Sequence, residues 1–301
     1  MAKRIAFIGT GIMGAPMAVN LLRAEYSVAC YNRTPAKAKP VHDAGGAICD
    51  TPAQAASAAD CIITMVTDGP DVEAVLFGAD GAFQTAREGT LCIDMSTISP
   101  ALTRDFAARG AARGIHMLDA PVTGGQPGAI NGTLSIMVGG DREDFEAARP
   151  VLAAMGKKIT YCGEHGAGQS VKLCNQICGA MNLLGVCEAL ILGQKMGIAP
   201  ETIIEVIGAG AGTSWAMQNL APKIISGDFA PGFMIDTQQK DMRLVAEAAA
   251  GAGVPLLGAS LAQQLWRSAQ TYGCGEEGIQ AMFKVVQQLA NFEGGTTDLM
   301  Q

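Results

Sequence analysis

The stretch RIAFIGTGIMG, residues 4–14, decides the fold. Its apolar run, residues 5–8, predicts a buried strand, and the glycine pattern GxGxxG directly after it predicts a turn that opens a helix. Glycines at this spacing permit a tight turn and let backbone N–H groups approach a pyrophosphate at the positive end of the helix. The stretch therefore predicts a dinucleotide site. Its predicted cofactor-binding residues are Gly9, Gly11, Ile12, Met13 and Gly14.

Outward from this turn, short apolar runs alternate with helical patterns through the first half of the chain. The helical segments begin at capping sequences, namely Thr51-Pro52, Ser99-Pro100 and Asp141. This β-α-β alternation indicates a mostly parallel sheet covered on both faces. The predicted strands cover residues 5–8, 28–31, 61–66, 91–93, 116–118, 134–138 and 159–161.

The strand pattern stops at Gly166, and the rest of the chain reads as helices separated by Gly and Pro. The first of these helices is expected from about Gly168 to Lys195. The predicted fold class is α/β, with an N-terminal Rossmann-type doubly wound sheet and a C-terminal all-α domain joined by a long helix. We place the dinucleotide-binding domain at residues 1–164 and an all-helical substrate and oligomerisation domain at residues 165–301.

Composition narrows the function classes. The 301 residues are 49% apolar and 16% charged, with a formal net charge of −7, which suits about two domains with apolar cores. The acidic balance argues against nucleic acid as a partner. Glu188, Gln194 and Lys195 interrupt the most apolar stretch, so no membrane span is expected.

Nine scattered cysteines lack a CxxC pair or a neighbouring histidine cluster. They predict reduced thiols in a cytoplasmic protein, and they indicate no metal site. The mostly apolar helical half favours self-association, as a homodimer or homotetramer.

The end of the second predicted strand bears on cofactor choice. An acidic residue about 20 positions after the glycines normally holds the ribose 2′-hydroxyl of NAD. This chain instead has Asn32, Arg33 and Thr34, which offer a charge and hydrogen-bond donors suited to a 2′-phosphate. The sequence therefore favours NADP(H) over NAD(H). The alternative is that Arg33 is a solvated loop residue or stacks on adenine.

The segment DAPVTGG, residues 119–125, follows another predicted strand. The hydroxyl of Thr123 next to Gly124 and Gly125 offers side-chain and backbone donors suited to a carboxylate. A purely structural turn is the alternative reading.

A polar and small-residue stripe recurs at helical spacing on the long helix, through Gly168, Lys172, Asn175, Gly179 and Asn182. Glycine costs a helix roughly 1 kcal/mol relative to alanine, which suggests close approach of another group. On this reading Lys172 protonates a substrate oxygen and Asn175 orients it, whereas the alternative is a solvated helix face.

Taken in order, the motifs GTGIMG, DMSTISP, DAPVTGG, GTLSIMVGG and GAGQSVKLCNQ, with the later pair Lys240-Asp241, resemble the β-hydroxyacid dehydrogenase family over essentially the whole chain. The resemblance implies that Lys172 is the catalytic acid/base assisted by Asn175. It further implies that Thr123, where the family mostly has serine, binds the substrate carboxylate together with Gly124 and Gly125. Further contacts implied by the resemblance are Gln176 to the substrate, and Met65, Val66, Thr97 and Lys240 to the cofactor.

The resemblance implies an NAD(P)-dependent enzyme that reduces a small semialdehyde or 2-oxo acid to the hydroxy acid. GTLSIMVGG and the Asn175-Gln176 pair are more similar to reductases of tartronate semialdehyde (2-hydroxy-3-oxopropionate) and glyoxylate. The alternatives are a 3-hydroxyisobutyrate dehydrogenase, a succinic semialdehyde reductase or, more remotely, a non-catalytic cofactor-binding module. A sugar-phosphate dehydrogenase would need a basic cluster, and the related imine reductases typically replace the lysine that stands here at 172.

Overall fold

The first half of the chain is built on one mixed sheet. The computed structural model describes residues 4–292, and its contacts divide the chain into two units, Met1–Lys172 and Leu173–Gln301. The strands in the described part are β1 Arg4–Ile8, β2 Ser27–Tyr31, β3 Ala47–Ile48, β4 Cys61–Thr64, β5 Leu91–Asp94, β6 His116–Asp119, β7 Val122–Thr123, β8 Leu134–Gly140 and β9 Gly156–Gly163.

The sheet has the order β3-β2-β1-β4-β5-β6-β8-β7, with β9 beside β8. Strands β1 to β6 pair in parallel, whereas β8 runs antiparallel to β6 and β7. The order reverses at β1, and sheets of this type bind ligands in the crevice at such a switch point, outside the carboxyl ends of the strands. The predicted Rossmann-type sheet is confirmed, and its last three strands make it mixed.

Strand β1 is buried on both faces of the sheet. Ile5 and Phe7 pack into one apolar cluster, and Ala6 and Ile8 pack into another. Because successive side chains of a strand point to opposite faces, the two clusters cover opposite faces of the sheet. This is why the strands read in the sequence as continuous apolar runs rather than as alternating ones.

Helices connect the strands. Thr51 caps the helix Pro52–Ala56 by accepting a hydrogen bond from Gln54 N at 3.1 Å, and Ser99 caps the helix Pro100–Ala111 by accepting one from Ala101 N at 3.2 Å. Asp141 makes no side-chain cap hydrogen bond to the helix Arg142–Ala153, so the predicted cap is wrong there. The helices of the first unit are α1 Gly14–Arg23, α2 Lys39–Asp43, α3 Pro52–Ala56, α4 Gly69–Phe77, α5 Pro100–Ala111, α6 Gly125–Asn131 and α7 Arg142–Ala153, with short 3-10 turns at Pro35–Ala38 and Ala82–Gln84.

The second unit is helical in its described part, with its own apolar core around the fully buried Trp266. It contains most of the long helix α8, Ala167–Lys195, which begins in the first unit. Its other helices are α9 Pro200–Ala209, α10 Trp215–Asn219, α11 Ala221–Ile225, α12 Ile235–Ala252, α13 Leu257–Thr271 and α14 Met282–Leu289, with a 3-10 turn at Ile279–Ala281.

Helix α8 is long and apolar enough to cross a membrane when judged by length and composition alone. Its apolar residues outweigh Glu188, although that charge, with Gln194 and Lys195, predicted from the sequence that no span is present. Its Leu183, Cys187 and Leu190 are fully buried in the core of the second unit. Such burial is characteristic of the core helix of a soluble protein, which passes the same test.

The start of α8 is tied to the end of β6 by one buried carboxylate. The side chain of Asp119 accepts hydrogen bonds from Gly166 N at 2.8 Å and from Gln169 N at 2.9 Å. A Cβ atom on Gly168 would lie 2.9 Å from an Asp119 carboxylate oxygen, so only glycine fits there. Asp119 therefore satisfies two N–H groups that the first turn of a helix leaves unpaired.

Replacing Asp119 with alanine is expected to lower the free energy of unfolding by about 2–3 kcal/mol, because two hydrogen bonds to a charged acceptor are lost in a buried place. Urea unfolding followed by circular dichroism measures this loss. Asp141→Ala is the matched control, since that exposed aspartate also precedes a helix but caps nothing. Equal losses in the two variants would contradict the capping role of Asp119.

Candidate functional site

The glycine-rich turn between β1 and α1 lies at the switch point of the sheet. Gly9 has a φ of +101°, and a side chain there would strike the carbonyl of Met65. A side chain at Gly14 would strike the carbonyl oxygen of Gly9. Gly11 differs, because a Cβ atom there would meet nothing within 4 Å among the described residues. The protein's own packing thus explains two of the glycines and leaves space above Gly11, which fits a pyrophosphate held close to the backbone. Ile12 and Met13 complete the turn, and Met13 directly precedes α1.

The segment after β2 is fastened to this turn. The Asn32 side chain accepts a hydrogen bond from Thr10 N at 2.9 Å and donates one to the Thr34 carbonyl at 2.9 Å. Arg33 points outward, with 83% of its side chain exposed, and forms an ion pair with Asp71 of α4 at 3.1 Å. Asn32 and Thr34 therefore shape the loop, while the guanidinium of Arg33 is the group presented to solvent.

The loops after β4 and β5 lie next to the turn. Met65 N donates to Ile8 O at 2.8 Å, and Val66 N donates to the Ser96 hydroxyl at 3.0 Å. Gln169 of α8 holds the backbone on both sides of Thr97. The Gln169 amide donates to Ser96 O at 2.8 Å and accepts from Ile98 N at 3.2 Å.

Gln169 is fully buried, and it is not among the site residues predicted from the sequence. Its signal was its position three residues before Lys172 in the motif GAGQSVKLCNQ. Because both ends of its amide are engaged with the loop after β5, this side chain fixes the backbone around Thr97 relative to the first turn of α8.

Lys172 and the glycine pair come together in the first unit. The Lys172 ammonium is buried and donates to the carbonyl of Val122 at 2.8 Å. The next residue is Thr123, which is half-buried at the end of β7. Gly124 and Gly125 follow with φ angles of +126° and +60°, and α6 begins at Gly125. A buried cation, a hydroxyl and the backbone N–H groups at a helix start thus lie in one short stretch, which suits a substrate bearing both a carbonyl and a carboxylate.

In the second unit, Asp241 links the remaining predicted residues. Gln176 donates to the Asp241 carboxylate at 2.6 Å and accepts from the Asn175 amide at 3.0 Å. Lys240 forms an ion pair with the other carboxylate oxygen at 2.7 Å. Asp241 is 1% exposed, so a buried carboxylate holds both Gln176 and Lys240 in place. The sequence motif contained Asp241, but no role was assigned to it.

The residues of the predicted stripe on α8 do not share one environment. Gly168 and Lys172 are buried, whereas Gly179 and Asn182 are exposed. A Cβ atom at Gly179 would meet nothing within 4 Å in the part of the chain that the structure describes. The predicted close approach is found at Gly168 and not at Gly179.

A second buried carboxylate lies beside Asp119. Asp94, the register partner of Asp119 at the end of β5, accepts hydrogen bonds at one oxygen from Thr64 at 2.7 Å and from Ser96 N at 3.1 Å. Its other oxygen is buried without a hydrogen-bond partner among the described residues. Burial raises the pKa of Asp94 from 3.8 to about 6, and the hydrogen bonds from Ser96 and Thr64 oppose this shift.

Replacement of Asp94 by asparagine is expected to change how stability depends on pH. A pKa raised to about 6 means that folding favours the protonated acid, so the wild type loses stability relative to Asp94→Asn as pH rises from about 4 to just above 6. The free energy of unfolding of Asp94→Asn relative to wild type should gain about 2 kcal/mol between pH 4.5 and pH 8. Urea titrations at the two pH values measure it, with the exposed Asp141→Asn as control. A difference that does not change with pH would contradict the raised pKa.

Comparison with known proteins agrees with this arrangement. Residues 4–163 match the NAD binding domain of 6-phosphogluconate dehydrogenase, and residues 166–286 match the NAD-binding domain of NADP-dependent 3-hydroxyisobutyrate dehydrogenase. The 2-(hydroxymethyl)glutarate dehydrogenase of Eubacterium barkeri is 40% identical over 287 residues, covering 95% of this chain and 95% of that protein. The 2-hydroxy-3-oxopropionate reductase of Escherichia coli K12 is 37% identical over 288 residues, covering 96% and 98%.

A solved structure is also similar along its whole length. Mycobacterium tuberculosis 3-hydroxyisobutyrate dehydrogenase with L-serine has a TM-score of 0.85 and is 34% identical, covering 95% of this chain and 100% of that one. These matches identify an enzyme and thereby exclude the non-catalytic cofactor-binding module. The protein belongs to the β-hydroxyacid dehydrogenase family and is an NAD(P)-dependent oxidoreductase acting on hydroxy acids.

Proposed function

We propose that this enzyme reduces 2-hydroxy-3-oxopropionate, and glyoxylate as a smaller substrate, to the hydroxy acid. The observation that carries the proposal is the hydrogen bond of 2.8 Å from the buried Lys172 ammonium to Val122 O, directly before Thr123. On this proposal the ammonium is the acid, and Thr123 with the neighbouring backbone N–H groups forms the carboxylate site. A carbonyl carbon one or two bonds from a carboxylate carbon suits this arrangement, and the small size of these two substrates distinguishes them from a diacid.

In the reduction, the nicotinamide supplies a hydride to the carbonyl carbon. Negative charge then grows on the carbonyl oxygen, and the Lys172 ammonium stabilises that charge and delivers a proton to it. Val122 O orients the ammonium, and Thr123 with the N–H groups of Gly124 and Gly125 holds the carboxylate. Asn175 assists Lys172 from the next turn of α8, and Gln176 and Lys240 complete the substrate and cofactor contacts.

The similarity to the Escherichia coli 2-hydroxy-3-oxopropionate reductase supports this substrate. The Eubacterium barkeri relative is more similar in sequence and carries the name of a larger diacid, 2-(hydroxymethyl)glutarate. A panel containing tartronate semialdehyde, glyoxylate, methylmalonate semialdehyde, succinic semialdehyde and 2-formylglutarate separates these alternatives. The highest kcat/KM is expected for tartronate semialdehyde, and a higher value for any other member would reassign the substrate.

We further propose that NADP(H) is preferred over NAD(H), because the exposed guanidinium of Arg33 faces solvent where an NAD enzyme places a carboxylate. A cytoplasmic homo-oligomer without membrane or nucleic-acid partners completes the proposal. Exposed apolar side chains on the second unit, among them Met196, Val206, Leu257 and Leu289, support self-association.

Lys172→Ala is expected to lower kcat by roughly 10² or more, because the developing oxyanion loses its proton donor. Lys172→Arg should not restore the rate, since a guanidinium does not release its proton near neutral pH. The dissociation constant for NADPH should stay near wild type, because the glycine-rich turn is intact. Lys195→Ala, on the same helix, is the control and should keep the wild-type kcat. A kcat for Lys172→Ala within a few-fold of wild type would remove Lys172 from the mechanism.

Arg33→Ala is expected to raise the KM for NADPH about tenfold or more while the KM for NADH changes little, because only NADPH loses a charge-assisted hydrogen bond. Steady-state kinetics with both cofactors at saturating substrate measure the two constants. Equal effects on both cofactors, or a wild type that strongly prefers NADH, would contradict the NADP(H) assignment.

A further inference from the structure

The ion pair between Arg33 and Asp71 joins two elements that lie on opposite sides of β1. Arg33 follows β2, and Asp71 lies in the first turn of α4, which follows β4. Strands β2 and β4 flank β1 in the sheet. The pair therefore spans the carboxyl end of β1, where the glycine-rich turn begins.

The sequence at the end of β2 contains no carboxylate, but in the folded protein the Asp71 carboxylate lies beside that loop. Its carboxylate lies 3.1 Å from the Arg33 guanidinium, with 32% of the Asp71 side chain exposed. The loop that carries Arg33 is fixed by both hydrogen bonds of the Asn32 side chain. Because the backbone of this loop is held in place, the partner of the guanidinium is determined by the neighbouring side chains and by the ligand, and not by movement of the loop.

We propose that Asp71 is a specificity-determining residue that moderates the preference for NADP(H) by competing with the 2′-phosphate for Arg33. This rests on the proposed role of Arg33. A 2′-phosphate must displace Asp71 from the guanidinium, whereas the 2′-hydroxyl of NAD leaves the ion pair in place. The pair is exposed and hence weak, so Asp71 tunes the ratio of the two affinities rather than blocking the phosphate.

The test is isothermal titration of the full-length protein with NADP⁺ and with NAD⁺, which reports binding without turnover. Asp71→Asn keeps the size of the side chain and removes its charge. The dissociation constant for NADP⁺ is expected to fall about threefold to fivefold, and that for NAD⁺ should change less than about twofold. Glu73→Gln is the matched control, because Glu73 lies on the same helix and pairs with a different arginine, Arg109, at 2.8 Å.

Measuring Asp71→Asn both with Arg33 present and in the Arg33→Ala variant distinguishes a failure of the Asp71 proposal from a failure of the Arg33 proposal. In Arg33→Ala the effect of Asp71→Asn should vanish, and an effect of undiminished size there would overturn the proposal. Suppose that Arg33→Ala weakens the binding of NADP⁺ more than that of NAD⁺. If Asp71→Asn then leaves the ratio of the two affinities unchanged, or changes it no more than Glu73→Gln does, only the Asp71 proposal is wrong. If Arg33→Ala weakens both cofactors equally, the proposed role of Arg33 fails, and this proposal fails with it.

Discussion

The hydrogen bonds from the start of α8 to the Asp119 carboxylate are the constraint on which the candidate site depends. Asp119 ends β6, and its side chain accepts the N–H groups of Gly166 and Gln169. A helix start left unpaired in a buried place would cost free energy, so the register of α8 against the sheet is set here. Lys172 lies one turn further along the same helix. Its ammonium therefore reaches Val122 O, three residues after Asp119.

The same helix turn also fixes the loop after β5. Gln169 bonds on both sides of Thr97, and Ser96 within that loop accepts the N–H group of Val66. Val66 and Met65 in turn pack against Gly9. The first turn of α8 is thus connected, through one amide and one hydroxyl, to the glycine-rich turn. Positioning of the acid and shaping of the cofactor crevice share one set of hydrogen bonds.

Local pattern was enough to predict most of the fold. The apolar runs of β1, β4, β5 and β6 are almost continuously buried because both sheet faces are covered. The two-residue strand β3 is exposed and was not predicted. The start of α8 was predicted within one residue, at Gly168 against Ala167. Side-chain partnerships were beyond such reasoning, because Asp119 and Gln169 are 50 residues apart and Arg33 and Asp71 are 38 apart. Nothing local in the sequence marks those pairs. The site residues were predicted from motifs. Gln169 and Asp241 stand in the same motifs, but nothing local in the sequence shows that they hold the predicted residues in place.

The two buried carboxylates of the first unit illustrate why burial alone does not identify the acid/base. Asp94 and Asp119 are register neighbours at the ends of β5 and β6, and burial raises the pKa of both. Each oxygen of Asp119 nevertheless accepts a backbone N–H, and Asp94 binds the loops after β4 and β5 through Thr64 and Ser96. Both carboxylates thus hold backbone or loops in place, and the second oxygen of Asp94 is itself buried, so neither group is placed to exchange a proton with a substrate. Lys172 combines burial with a hydrogen bond to Val122 O beside the proposed carboxylate site, and on this ground we propose it as the proton donor.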